Sequence, residues 1–199
     1  MSYKLYDAAD FGVPQHRRRV IFFLSRDGET IEPMMATHGG DGQPRHLTLR
    51  DAIGHLQGTA MEAQRLTPAV LEYMQYIPAG GNWRSIPLQH QPEWLLEKTQ
   101  ISTDWFPRSA RDEPARTLTC EVGVTKRGPS HCHPDELRGL SVEECAAIQT
   151  FPPGFCLAGS RGQKYRQLGN AVPVKFAQAV AEHLLAHMAR QRAVEMRAA

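Results

Sequence analysis

Long apolar runs are absent from this chain of 199 residues, and the longest aliphatic stretch is only Val20 to Leu24. A membrane helix needs roughly 20 apolar residues, so no span is expected. CxxC pairs are missing too. The cysteines stand far apart at Cys120, Cys132, Cys145 and Cys156, which argues against a disulfide scaffold or a zinc ribbon and suits a reducing cytoplasm. His131-Cys132-His133 is too tight a cluster to fill a tetrahedral shell, and no second cluster completes it, so no metal is expected. No signal peptide precedes the first strand, and the expectation is a soluble, cytoplasmic protein without a membrane partner. Internal repeats and long low-complexity tracts are lacking. So is a strong charge bias: 23 basic against 21 acidic residues leave a net charge of +2, which alone says little about nucleic acid.

What is present reads as a globular chain. Hydrophobic content of 41% and charged content of 22% are ordinary, enough for one good domain or two small ones. Charge is clustered rather than abundant. Ser160 to Lys175 contains Arg161, Lys164, Arg166 and Lys175 without an acid, and His16 to Arg19 is a basic run; fields of this kind attract phosphates.

Tyr3 to Tyr6 and Val20 to Leu24 read as strands, the second continuously apolar and so needing cover on both faces. Two such strands cannot form a sheet core alone, so the chain is expected to begin partway through a sheet. Glu32 to His46 is a loop or linker. Leu49 to Leu56 is predicted helical behind a Thr48 cap, as are Pro68 to Tyr76 and a short piece at Trp94 to Lys98. Pro78 to Asn82 is a turn, and Arg116 to Val124 alternates like a strand. Ser141-Val142-Glu143-Glu144 has capping-box spacing for a helix that stops before Pro152-Pro153. Pro173 opens the last helix, with Val174, Ala177, Val180, Ala181, Leu184, Leu185 and Met188 on one face.

Several stretches carry chemistry. In Gln15-His16-Arg17-Arg18-Arg19, strand alternation puts Gln15, Arg17 and Arg19 on one face, suited to a phosphate or a polar base edge. The same arginines could instead cap a sheet end or pair with acids. In Gly169-Asn170-Ala171-Val172-Pro173, small residues and an amide lie beside a helix N-terminus, which favours an anion such as a carboxylate; a bare Gly-Asn is equally a turn. Together with Gly12-Val13-Pro14, Arg108 to Thr119, His133-Pro134, Arg138 to Ser141 and Gln149 to Pro152, these blocks resemble, in order, the C-terminal half of the DNA cytosine-5 methyltransferases.

The resemblance implies an α/β fold: the C-terminal part of a doubly wound, S-adenosylmethionine-dependent methyltransferase, plus a small irregular target-recognition domain. Residues 1–30 would end the catalytic sheet, 31–159 would hold the linker and recognition domain, and 160–199 would return to the catalytic domain as its C-terminal helix. It implies a base-flipping enzyme in a restriction-modification setting, acting on double-stranded DNA with S-adenosylmethionine as cofactor. Arg19 would lie against the flipped cytosine near O2, with Arg17 and Gln15 supporting it. Asn170 and Ala171 would touch the cofactor's amino-acid end. Arg84, Arg108, Arg111, Thr117, Thr119, Lys126 and Arg127 would contact DNA. Arg111 and Arg116 stand where the family often has an aromatic and a proline. Thr117 and Thr119 fit an ordinary strand equally well, and Trp83 reads as core.

Against that family the chain lacks the Pro-Cys nucleophile, the Glu-Asn-Val triplet and the Gly-rich cofactor loop; Cys120 and Cys145 sit in the wrong blocks and read as structural. The chain alone is therefore expected to be inactive: either the smaller subunit of a split methyltransferase, with an N-terminal partner carrying the missing blocks, or a fragment or gene remnant. A catalytically silent, sequence-specific DNA-binding module is the alternative.

Overall fold

The computed structural model describes residues 1–57, 63–96, 105–119, 124–125 and 128–198. Strands β1 (Ser2–Asp7) and β2 (Arg18–Phe23) form an antiparallel hairpin in which Tyr3 faces Phe22 and Leu5 faces Val20. The connection contains a 3-10 turn at Ala8–Phe11 that ends on left-handed Gly12, φ 74°. There a Cβ would come within 2.9 Å of the His38 ring, so glycine suits both the backbone and the packing. The Glu32 to His46 segment is a loop, as predicted. Thr37 and His38 N–H groups donate to the Asp10 carbonyl, and the His46 ring meets the Asp10 carboxylate at 3.0 Å.

Helices α1 (Leu49–Ile53), α2 (Pro68–Met74), α3 (Glu93–Leu96), α4 (Val142–Ile148), α5 (Arg161–Asn170) and α6 (Val174–Ala198) follow, with a two-residue ladder between β3 (Val124–Thr125) and β4 (Gly128–Pro129). Full capping boxes start α1 at Thr48 and α4 at Ser141, each satisfying amide groups that a helix start leaves unpaired. The α4 box does more. Buried Glu144 also accepts both arms of Arg138 at 2.8 Å and lies 3.5 Å from buried His133, a charge-assisted anchor for the Arg138 to Ser141 turn.

The apolar interior falls into three clusters. One joins α1, Ala115, Leu118, α4 and α5; a second joins the hairpin to Phe176 of α6; a third gathers Leu66, Val70, Met74, Ile77, Ile86 and Phe106. Trp83 is half-buried against the third cluster, in line with its reading as core.

Three expectations need correction. The predicted strand from Arg116 to Val124 does not form over Arg116 to Thr119; the Thr117 hydroxyl and the Leu118 N–H and carbonyl bond instead to His16, Gln15 and Arg17. Residues 120–123 lie outside the described residues. The second correction concerns β2, expected to be covered on both faces: α6 covers one, and Val20 and Phe22 on the other are exposed. The third concerns α6. Phe176, Ala179, Val180 and Leu184 face the core, whereas Val174, Ala177, Ala181, Leu185 and Met188 of the predicted stripe are exposed. A helix of this composition carries two adjacent apolar stripes, and Phe176, the largest side chain, takes the interior. The helix also begins one residue late, with the Pro173 carbonyl accepting from Ala177. Among the described residues no helix is long and apolar enough to cross a membrane.

Candidate active-site framework

The Gln15 to Arg19 stretch is split between interior and surface. Gln15 and Arg17 are buried, and Arg19 is exposed. Gln15 bridges in parallel to Ala115, whose N–H donates to Pro14 while its carbonyl accepts from His16. The Gln15 Oε1 then accepts the Leu118 N–H at 2.9 Å, and Thr117 Oγ1 donates to the His16 carbonyl.

Arg17 spends its fork on two carbonyls, Leu118 and Gly169, each at 2.9 Å. Burial foremost, then the charge of Arg19, lowers its pKa, but a guanidinium remains protonated in any protein setting. Asp7 sits at the rim, accepting from the Arg17 N–H at 2.9 Å and facing His16 at 3.0 Å. Burial raises its pKa, but the hydrogen bonds from Arg17 and His16 outweigh burial and leave it lowered.

Gln149 completes the framework. Fully buried, it accepts from Gln15 Nε2 at 3.2 Å, donates to the Leu168 carbonyl, and offers its own carbonyl to the Val174 N–H. Next to it, Thr150 takes the left-handed region at φ 60°, rare for a β-branched residue, and its hydroxyl accepts the Lys175 N–H at 2.9 Å. One amide thus ties the Gln15 segment to the end of α5 and the start of α6. Sequence reading placed Gln149 to Pro152 among the family blocks and missed this role, because a side chain's partner more than 100 residues away leaves no local pattern.

Helix α5 was missed as well, although Ser160-x-x-Gln163 has box spacing and forms a full capping box. Gly169 and Asn170 close α5 instead of preceding α6 directly. Asn170 is exposed and lines a shallow depression with Gln163, Arg166 and Gln167; Ala171 is half-buried.

The predicted DNA contacts scatter. Arg84 is exposed, its guanidinium 5.2 Å over the Trp83 ring. Arg108 is half-buried and donates to the Ile77 carbonyl at 2.7 Å; with Arg116, Gly80 and Asn82 it lines a cavity of about 180 Å³. Arg111 pairs with Asp135. Thr117 is taken up by His16, Thr119 is exposed, and Lys126 and Arg127 lie outside the described residues. Among the described residues, Arg19 has no carboxylate partner and donates only to the neighbouring Arg18 carbonyl.

Residues 1–186 match the family model described as C-5 cytosine-specific DNA methylase. The chain is 33% identical to the Type II methyltransferase M.Eco47II of Escherichia coli, covering 93% of this chain and 47% of that protein. It is also 33% identical to M.PspPI of Psychrobacter sp. (strain TA137), over 92% of this chain and 45% of the relative. It spans about half the length of the curated relatives it matches. In three dimensions it resembles the crystal structure of an Escherichia coli prophage-encoded protein described as a putative DNA modification methyltransferase, with TM-score 0.52 and 17% identity over 93% of this chain and 59% of that one. The methyltransferase fold and the family match converge: this chain belongs to the C-5 cytosine-specific DNA methylase family.

Proposed function

We propose that this chain is the C-terminal portion of a DNA cytosine-5 methyltransferase, which moves a methyl group from S-adenosylmethionine to C5 of a cytosine flipped out of a specific double-stranded site. Residues 31–159 would form the target-recognition domain, and 1–30 with 160–199 would finish the doubly wound catalytic domain. The thiolate that adds to cytosine C6 and the glutamate at its N3 edge would come from an N-terminal partner or upstream segment. The supporting observation is the division of labour within Gln15 to Arg19: Gln15 and Arg17 are consumed by internal bonds, which fixes the strand and leaves the Arg19 guanidinium in solvent. Such a cation, held by a rigid support, would stabilise negative charge that builds in a pyrimidine ring under nucleophilic attack.

S-adenosylmethionine supplies the electrophilic methyl group. An exposed amide at Asn170 and the small Ala171 fit one wall of a site for its polar amino-acid end, and the other walls would belong to the missing half. Arg84, Arg108, Arg111, Thr119, Lys126 and Arg127 would face DNA, with bases read in the major groove.

Incubation of plasmid DNA with S-adenosylmethionine and the pure chain, with and without the upstream half of the enzyme, tests this reading. No 5-methylcytosine is expected from the chain alone, and site-specific methylation is expected from the pair. Methylation by the chain alone overturns it. Tight, site-specific gel shifts by the chain, with no methylation by the pair, would assign a silent DNA-binding module instead.

A further inference from the structure

From Ser160 to Lys175 the chain carries Arg161, Lys164, Arg166 and Lys175 and no acid. Elsewhere Arg45, Arg50, Arg111 and Arg138 are each spent on a carboxylate. Arg166 is different. It is exposed, and among the described residues it meets neither a carboxylate nor any other acceptor.

Arg166 and Gln163 stand three residues apart on the exposed ridge of α5, where such residues are neighbours. With Gln167 and Asn170 they line the shallow depression beside Ala158 and Gly159. The Gln163 Oε1 accepts the Ser160 N–H at 2.7 Å, which leaves its amide N–H groups as donors. Gly159 permits this fold-back: it lies at φ 92°, and a Cβ there would stand 2.5 Å from Gln163 Oε1. The lining is therefore one guanidinium among neutral amides, with no carboxylate to repel an anion.

The ridge is firmly held. The Tyr165 hydroxyl donates to the Leu140 carbonyl, Gln149 to the Leu168 carbonyl and Arg17 to the Gly169 carbonyl. The last of these bonds ties α5 to the segment that carries Arg19 two residues further on. An extruded base stays attached to its strand, so a cation facing the ring implies sugar-phosphate backbone beside the same framework.

We propose that Arg166, with the Gln163 amide beside it, seats a phosphodiester of the DNA strand that carries the target cytosine. The proposal rests on the reading of the chain as part of a DNA methyltransferase and adds a backbone contact to it. Shape argues for this anion over the cofactor's carboxylate. Small-molecule sites are concave and bury most of their ligand, whereas this depression is shallow, and exposed arginine and amide donors are the usual phosphate contacts.

Fluorescence anisotropy of a labelled duplex, titrated with the full chain at a series of salt concentrations, reads the contact. Each neutralised phosphate adds about 0.9 to the slope of log affinity against log salt. Arg166→Gln is expected to make that slope shallower by about 0.9, Arg166→Lys to restore it, and Arg190→Gln, on exposed α6, to leave it unchanged. Circular dichroism should not differ among the variants, because every change is at an exposed position.

An unchanged slope in Arg166→Gln overturns the proposal, as does a wild-type chain that shows no salt-dependent binding at low salt. So does a loss of S-adenosylmethionine retention by the chain combined with its upstream half, at unchanged slope, which would give Arg166 to the cofactor's carboxylate. The slope requires no methyl transfer. A shallower slope without methylation by the pair keeps the seat and refutes the proposed activity, and methylation with an unchanged slope does the reverse.

Discussion

Gln15 and Gln149, 134 residues apart in sequence, share a hydrogen bond in the interior, and the second also holds the last turn of α5. Replacing Gln149 by Met keeps the volume but strands the Gln15 amide and the Leu168 carbonyl away from water. Each buried, unpaired group costs about 1–3 kcal/mol, so a loss of about 2–4 kcal/mol is expected by urea denaturation. Gln178→Met on the exposed side of α6 should stay within about 0.5 kcal/mol. Equal effects from the two would refute the tie.

Arg17 and Arg19 should behave in opposite ways. Arg17→Lys removes the planar fork that serves Leu118 and Gly169, and a point charge cannot reach both carbonyls as well. About 2 kcal/mol of stability should be lost. Arg19→Ala, at an exposed position, should leave stability unchanged within about 0.5 kcal/mol. In the completed enzyme the same Arg19→Ala change should lower turnover well over tenfold with DNA affinity nearly intact. An equal loss of affinity would make Arg19 a phosphate clamp only.

Stability should fall in mild acid. Burial foremost, helped by the charge of Arg116, lowers the pKa of fully buried His131 to about 4, against about 6.5 in an unfolded chain. Between those values the unfolded state binds a proton that the folded state refuses. The contribution is therefore complete above pH 6.5 and is lost as pH falls toward 4, about 3 kcal/mol in all at ~1.4 kcal/mol per unit. Urea midpoints for wild type and His131→Gln at pH 7.5, 6 and 5 read the difference. Parallel curves would contradict the assignment.

The thiols should separate cleanly. Cys132 and Cys145 are buried and Cys156 is exposed; burial pushes the Cys132 thiol up to about 11 and the Cys145 thiol higher. In a Cys120→Ser background, a disulfide reagent at pH 8 should modify one thiol of the native protein, and two more only after unfolding. Fast modification of Cys145 would reopen it as a nucleophile.

Local signals were legible and distant ones were not. The first two strands and the Thr48 and Ser141 caps could be read because their determinants lie within a few residues of one another, whereas the pairing of those strands into a hairpin could not. Helix α5 carried the same signal at Ser160 and Gln163, obscured by its basic, weakly apolar composition. The side of α6 that packs was misjudged because two apolar stripes compete, and only the hairpin's Tyr6 and Phe23 decide between them. The Gln15–Gln149 and Arg17–Gly169 bonds join segments that periodicity cannot relate. The methylase blocks were recognisable as an ordered set, while the partners of Arg108 and Arg111 depend on the fold.

The span of the Arg17–Gly169 bond, 152 residues, has a consequence for synthesis. A ribosome delivers the Leu118 carbonyl 101 residues after the arginine and the Gly169 carbonyl 152 residues after it, so the guanidinium fork is filled in two stages. Nucleation through such distant pairings is slow, and termination between Leu118 and Gly169 would leave one arm of the buried guanidinium without its acceptor.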